Sequence, residues 1–217
     1  MSLTNAQASG VLGLGFPSVS AIPLSLGRTL LETVFSNLPV QNRFFAYKLS
    51  PSDTGGTLSI GQHDPTISDR AAEIFYTPAF YSPGEAFDYW KLQLRAITVN
   101  GRLVPDVLSS SKIKNSKYPI AVLDTGTTLI LGPSKDVTSL WTAVGGARLG
   151  DDGRWRVRCE HAVSVGLVLG DQVTQREYLI NPEDVSQRPT GSKEDEEWCI
   201  GGVQSNDGVS FFPTLDF

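Results

Sequence analysis

Apolar positions recur along this chain with two different periods. In "GRTLLETVFSNL", Leu30, Leu31, Val34, Phe35 and Leu38 fall at i, i+1, i+4, i+5 and i+8. That spacing gathers them on one helical face. In "RFFAYKLSPSDTGGTLSIG" the period drops to two. Phe45, Tyr47 and Leu49 alternate with Phe44, Ala46 and Lys48, and Leu58 and Ile60 alternate on the return, which predicts a hairpin. "AAEIFYTPAF" and "YWKLQLRAITVNGRLVP" read as further strands, the second turning at Asn100-Gly101, a pair that favours a type I′ turn. "YPIAVLDTGTTLILGP" reads as strand, turn, strand. "PSKDVTSLWTAVGG" starts at Pro133 and stops at Gly145-Gly146, which predicts a helix of about 12 residues. "RWRVRC", "VSVGLVLG" and "REYLINP" return to strands, and the acidic "SKEDEEW" reads as a solvated loop. No repeat of 20 to 50 residues and no low-complexity tract interrupts this order.

Composition sharpens the fold class to mostly β, with short helices. Gly 21 and Pro 13 are scattered as turn signals between short apolar runs, the pattern of a sandwich, barrel or bilobal β architecture. At 217 residues and 40% hydrophobic, the chain is long enough for one large domain or two small ones. Its net charge of -5 and the lack of basic runs make nucleic acid and anionic membrane poor partners. The longest apolar stretches are broken by Asp, Thr and Gly, so none reads as a membrane span. Two cysteines, Cys159 and Cys199, fit either one disulfide or two reduced core thiols. A bridge would close a loop of about 40 residues and contribute roughly 4 kcal/mol on chain-entropy grounds. His63 and His161 are the only histidines, and "RCEH" lacks paired ligand spacing, so no metal site is expected. "MSLTNAQASG" has neither the basic nor the apolar region of a secretory signal, and "FFPTLDF" ends on aromatics. Both ends read as cut.

Asp-Thr-Gly occurs twice, at Asp53 and at Asp124. The flanks separate the copies. Around Asp53, Pro51 and Ser52 precede and Gly55 and Gly56 follow, which is hairpin-turn chemistry with Gly supplying positive φ. A carboxylate there is solvated. Asp124 instead follows Ile120, Ala121, Val122 and Leu123, and Leu129, Ile130 and Leu131 come soon after. An ionisable group between core strands is costly unless hydrogen-bonded. Thr125, Thr127 and Thr128 offer hydroxyls and Gly126 allows close backbone approach, so Asp124 is expected as a buried carboxylate in a hydroxyl-lined turn, a reactive-site candidate.

These segments, in their order, resemble the pepsin family of aspartic proteases. "SGVLGLGFPSVSA" is similar to the family's hydrophobic-hydrophobic-Gly segment, and "FFAYKLSPSDTGGTLSIGQHD" to the hairpin leading toward the second lobe. Where the family usually has Gly-Gly-x-Asp, this chain has Gly61-Gln62-His63-Asp64. "YWKLQLRAITVNG" and "AVLDTGTTLILGP" resemble the second lobe's first strand and catalytic loop, and "CEHAV…WCIGGVQ" its disulfide pair. The resemblance implies a pepsin-like acid protease fold, mostly β and incomplete. Residues 1–65 would be a remnant of the N-terminal lobe with the inter-lobe hairpin, and residues 70–217 a C-terminal catalytic lobe truncated before its last strands. It places Asp53 in a variable hairpin loop. It makes Asp124 the catalytic aspartate, and pairs Cys159 with Cys199.

The implied activity is that of an aspartic endopeptidase. One of two carboxylates activates water, the other polarises the scissile carbonyl, and no cofactor or metal takes part. Thr125 would grip the opposing lobe and Thr127 would hydrogen-bond Asp124. Gly126 and Thr128 would bond the backbone of an extended polypeptide substrate, cleaved between mainly apolar residues in acid. Tyr89 and Ile130 would line side-chain pockets. The full-length family member would be secreted, vacuolar or lysosomal. The first lobe's own Asp-Thr-Gly, its flap tyrosine and the second hydrophobic-hydrophobic-Gly segment are absent from this sequence. Asp124 is therefore expected to lack both its proton-sharing partner and the strand that crosses beneath its loop, and the isolated chain is expected to need the missing N-terminal lobe. Two rivals remain: a homodimeric retroviral-type protease, in which each copy donates one Asp-Thr-Gly, and a non-catalytic β module that binds peptides or inhibits a protease.

Overall fold

The computed structural model describes residues 10–22, 24–50, 55–68, 73–111, 113, 116–189 and 197–207, with a short strand at 214–215. The chain forms two compact units, the first spanning residues 1–74 with 87–89 and the second residues 75–86 with 90–217.

In the first unit, α1 (Leu30–Ser36) opens on Thr29, whose hydroxyl accepts the Glu32 N–H while the Glu32 carboxylate accepts the Thr29 N–H. This reciprocal cap satisfies donors that a helix start otherwise leaves unbonded. Leu31 is buried, but Leu30 is exposed and stands off the expected apolar face. Strands β1 (Phe45–Lys48) and β2 (Thr57–Ile60) pair antiparallel with Lys48 opposite Thr57, so the period-two reading gave this hairpin correctly. Asp53, between these strands in the sequence, lies outside the described residues. A single helical turn, α2 (Pro65–Ser68), follows.

The second unit is built on three sheets. β3 (Lys91–Val99) turns through Asn100 and Gly101, both at positive φ, into β4 (Arg102–Leu103), the two-residue hairpin that Asn-Gly favours. β5 (Ile120–Leu123) and β6 (Ile130–Gly132) flank the Asp124 turn. They do not pair with each other. α3 (Ser134–Val144) begins after Pro133 and ends at Gly145, with φ 72°. It buries Val137, Leu140, Trp141 and Val144, at i, i+3, i+4 and i+7. Then follow β7 (Ala147–Leu149), β8 (Trp155–Arg158), β9 (Val165–Leu169), β10 (Arg176–Leu179), α4 (Pro182–Val185), β11 (Ser186–Gln187), β12 (Trp198–Gly201), β13 (Val203–Ser205) and β14 (Thr214–Leu215). The large sheet runs β10-β9-β3-β5-β14 with β4 beside β3; β11-β12-β8-β7 form a second; β13 and β6 pair in parallel as a third.

One core serves these layers. It joins Leu94, Ile97 and Val99 of β3, Leu167 and Leu169 of β9, Val157 of β8 and the apolar face of α3. Polar groups inside it are bonded. Trp141 Nε1–H donates to the Val203 carbonyl at 2.9 Å, and Gln204 bonds both the N–H and the carbonyl of Trp155. Asp136, wholly buried on α3, accepts the N–H and hydroxyl of Ser109, which removes the cost of an unpaired carboxylate. Cys159, just after β8, is bridged to Cys199 on β12, with Cα atoms 5.0 Å apart.

Two expectations are corrected, and a third lies mostly outside the described residues. Residues 73–80 form no strand, because Pro78 has no N–H for a ladder and the consecutive aromatics Phe75 and Tyr76 are both exposed. "SKEDEEW" lies mostly outside the described residues. A strand does run beside the one leading to Asp124: Thr214 and Leu215 pair in parallel with Val122 and Leu123, although the hydrophobic-hydrophobic-Gly spelling is absent.

Candidate active site

Ile120, Ala121 and Val122 are buried because β5 lies between β3 and β14, with Lys91 opposite Val122 on one side. Leu123 N–H still donates to the Trp90 carbonyl at 2.8 Å. The chain then leaves the sheet at Asp124. Gly126 N–H donates to Asp124 Oδ1 at 2.9 Å, and Thr127 Oγ1–H donates to Oδ2 at 2.8 Å. Each carboxylate oxygen thus has its own donor, which fixes the plane and direction of the group. A Cβ at position 126 would come within 3.1 Å of Oδ1, so glycine leaves the carboxylate room to sit over its own turn. Beyond the turn, Ile130 N–H donates to the Gly202 carbonyl at 2.9 Å and β6 pairs with β13, so a second sheet holds the outgoing end.

Asp124 was expected to be buried; it is half-buried. Apolar burial stops at Val122 and resumes at Ile130, and between them Thr125, Gly126 and Thr128 are exposed. The hydroxyls of Thr125 and Thr128 have no partner among the described residues. Ile130 is sunk in the core and presents little surface. Tyr89 belongs to the first unit, is exposed, and its N–H is taken by Asp88 Oδ1 at 2.7 Å. The structure therefore brings Asp124, Gly126 and Thr127 into one hydrogen-bonded group and leaves Thr125 and Thr128 on its rim.

The sequence reading did not single out Gly202. Its carbonyl anchors Ile130 and its N–H donates to the Val185 carbonyl at 2.9 Å, so it ties the turn's outgoing strand to α4. The Gly201-Gly202 pair was the available signal. Among the described residues, no three His, Cys, Asp or Glu side chains cluster to hold a metal ion, and no helix is long and apolar enough to cross a membrane.

Comparison with known proteins agrees with the geometry. Residues 1–212 match the family described as eukaryotic aspartyl protease. The chain is 24% identical to chymosin of Camelus dromedarius over 204 residues, 94% of this chain and 46% of that protein. It is 29% identical to cathepsin E of Oryctolagus cuniculus over 164 residues, 74% of this chain and 36% of that one. It is 26% identical to embryonic pepsinogen of Gallus gallus over 156 residues, 72% and 36% respectively. The chain thus spans less than half the length of each of these relatives. With most of its length matched and its Asp-Thr-Gly turn at the end of a buried strand, this chain belongs to the eukaryotic aspartyl protease family.

Proposed function

We propose that this chain supplies one catalytic half of an aspartic endopeptidase, with Asp124 as its catalytic carboxylate. Residues 70–217 would form the lobe that presents Asp124. Residues 1–65 would belong to the neighbouring lobe and the hairpin between them. The observation that carries this reading is the Asp124 carboxylate at the end of a buried strand, with one oxygen held by the Gly126 N–H and the other by the Thr127 hydroxyl.

The chemistry follows from two carboxylates set side by side. They cannot both ionise, so they share one proton. The ionised member draws a proton from a bound water as the water attacks the scissile amide carbon. The protonated member hydrogen-bonds the carbonyl oxygen as charge gathers there. The nitrogen then leaves with a proton, and no covalent intermediate forms with the enzyme. Asp124 provides one carboxylate, and the second comes from polypeptide outside residues 1–217. The unpartnered hydroxyl of Thr125 would interlock with the opposing lobe, while Gly126 and Thr128 would meet the backbone of an extended polypeptide substrate. The Cys159–Cys199 bridge favours a compartment outside the reducing cytosol, secreted, vacuolar or lysosomal.

The test supplies the missing half in trans. The purified chain is mixed with a polypeptide carrying the other Asp-Thr-Gly, and cleavage of an unfolded protein is followed in acid with and without pepstatin. The expected result is pepstatin-sensitive cleavage by the pair that falls by at least about 10³-fold in Asp124→Asn. Undiminished cleavage by Asp124→Asn would refute the assignment. Asp124-dependent cleavage by the chain alone, as a tight dimer, would move it to the retroviral-type arrangement.

A further inference from the structure

β3 contains an irregularity that the Asp124 site does not explain. Its register with β9 runs Leu94 to Leu169 and then Ala96 to Val168, so Arg95 is an extra residue with no cross-strand partner. The core requires this slip. Leu92 and Leu94 face inward on one parity, Ile97 and Val99 on the other, and only an inserted residue keeps both pairs on the same face. Bulges re-aim a side chain, and this one aims a guanidinium.

Arg95 is half-buried and held from several sides. Its Nε–H donates to Gln175 Oε1 at 3.1 Å, and its plane lies over the Tyr118 ring with Cζ 3.9 Å from the centroid. The remaining contacts are long: Nη1 to Gln93 Oε1 at 3.4 Å and Nη2 to the Tyr118 hydroxyl at 3.3 Å. Each of these partners is neutral. Among the described residues no carboxylate lies within ion-pair distance of Arg95. Asp171, a carboxylate whose charge it feels, turns its Oδ1 onto the Val173 and Thr174 N–H groups and the Thr174 hydroxyl of its own loop. A second cation, Lys117 Nζ, stands 5.4 Å from the centroid of the same Tyr118 ring. Lys117 is exposed, and it too has no carboxylate partner among the described residues. The sequence from Val107 to Leu123 contains no Asp or Glu and three lysines, in a chain whose net charge is -5.

A guanidinium normally finds a carboxylate, because a bidentate pair uses its planar fork. Here the fork is oriented, stacked and partly desolvated, yet left with neutral partners and two weak bonds. We propose that Arg95, with Lys117 and the Tyr118 ring, is a binding site for a carboxylate group, taken as a bidentate pair on Nη1 and Nη2. The long bonds to Gln93 and Tyr118 would be exchanged for charge-assisted ones, and Lys117 would add through-space attraction. An acidic side chain of a polypeptide and a free dicarboxylic acid offer the same group, and the test separates them.

Fluorescence anisotropy of a labelled Glu-rich peptide is measured on the full chain at low and at moderate salt, with its Gln-for-Glu counterpart and with glutarate as competitor. The Glu peptide should bind, the Gln peptide should not, and affinity should fall with salt. Arg95→Gln should weaken binding by about tenfold or more, the equivalent of about 1.4 kcal/mol. Arg95→Lys, which keeps the charge but loses the fork, should recover only part of the loss. Lys117→Gln, at an exposed position where folding is not at risk, should weaken binding about two- to threefold. Glutarate that displaces the peptide at a similar concentration would assign the site to small acids; displacement only at a large excess would assign it to a polypeptide. Equal binding of the Gln peptide, or unchanged affinity in both Arg95→Lys and Lys117→Gln, would overturn the proposal.

Discussion

Gly202 offers the sharpest test of how the Asp124 turn is held. It sits between β12 and β13, and a methyl group there would overlap the Asp184 carbonyl oxygen, reach 2.9 Å from its carbonyl carbon and 3.4 Å from Val185 Cα. These obstacles are backbone, so no rotamer change relieves them. Either α4 moves away or β13 does. Overpacking a filled site costs about 1–3 kcal/mol, and more where backbone must shift. The displacement also stretches two 2.9 Å bonds, Gly202 N–H to Val185 and Ile130 N–H to Gly202, each worth about 1 kcal/mol net. Gly202→Ala should therefore lose about 3–5 kcal/mol. With a urea slope of about 2 kcal/mol/M, the unfolding midpoint should fall by about 2 M, read by tryptophan fluorescence. Ile130 follows Asp124 by six residues, so its amide should also exchange faster in the variant. A midpoint within about 0.3 M of the parent, with Ile130 protection unchanged, would refute the close approach and the argument built on it.

Two further outcomes follow from other parts of the unit. The Cys159–Cys199 bridge spans 40 residues, so the double variant Cys159→Ala/Cys199→Ala should lose about 4 kcal/mol and become insensitive to reductant; a loss under about 1 kcal/mol would contradict the loop-closure estimate. Asp171 is held below its usual 3.8 by the Thr174 hydroxyl and N–H and by the Val173 N–H, against a smaller opposing effect of desolvation, with Arg95 adding attraction. Its folded value being depressed, it stabilises the fold above pH 3.8, and that contribution is lost as pH falls through the lower folded value. Urea midpoints measured on either side of that window should drop less in Asp171→Asn than in the parent; equal drops would remove Asp171 from the acid response.

What the sequence disclosed was local. The apolar spacing of Leu31, Val34 and Phe35, the Pro133 start and Gly145 stop of α3, and the Asn100-Gly101 turn each depend on neighbours a few residues away. Each appears in the structure. The parity break in β3 was also present, as Leu92 and Leu94 followed by Ile97 and Val99. Read as one strand, it concealed the bulge at Arg95, because period-two matching tolerates a single slip. What stayed hidden was non-local. Nothing near Leu123 or Ile130 says that β5 and β6 join different sheets, or that Thr214 and Leu215 lie beside Val122 and Leu123. The half-exposure of Asp124 escaped for the same reason. Its apolar flanks predict burial of the strands but not of the turn between them.

That half-exposure separates two things a catalytic carboxylate needs. Orientation is local, and this chain supplies it: two donors three residues or fewer from Asp124 fix both oxygens, and neither depends on a distant segment. Activation is not local. In the proposed mechanism it comes from a second carboxylate close enough to share a proton and from walls that keep bulk water out, and a turn with Thr125, Gly126 and Thr128 exposed provides neither. The two contributions can be measured apart. Thr127→Val removes the donor to Oδ2 and should reduce cleavage by the assembled pair while leaving the association of the two halves unchanged, because Thr127 acts only through Asp124. Thr125→Val should do the reverse, weakening association while cleavage at saturating partner concentration stays near the parent rate. If both variants changed only association, the Asp124 turn would be an interface element and the assignment of Thr127 as the residue that positions the carboxylate would fail.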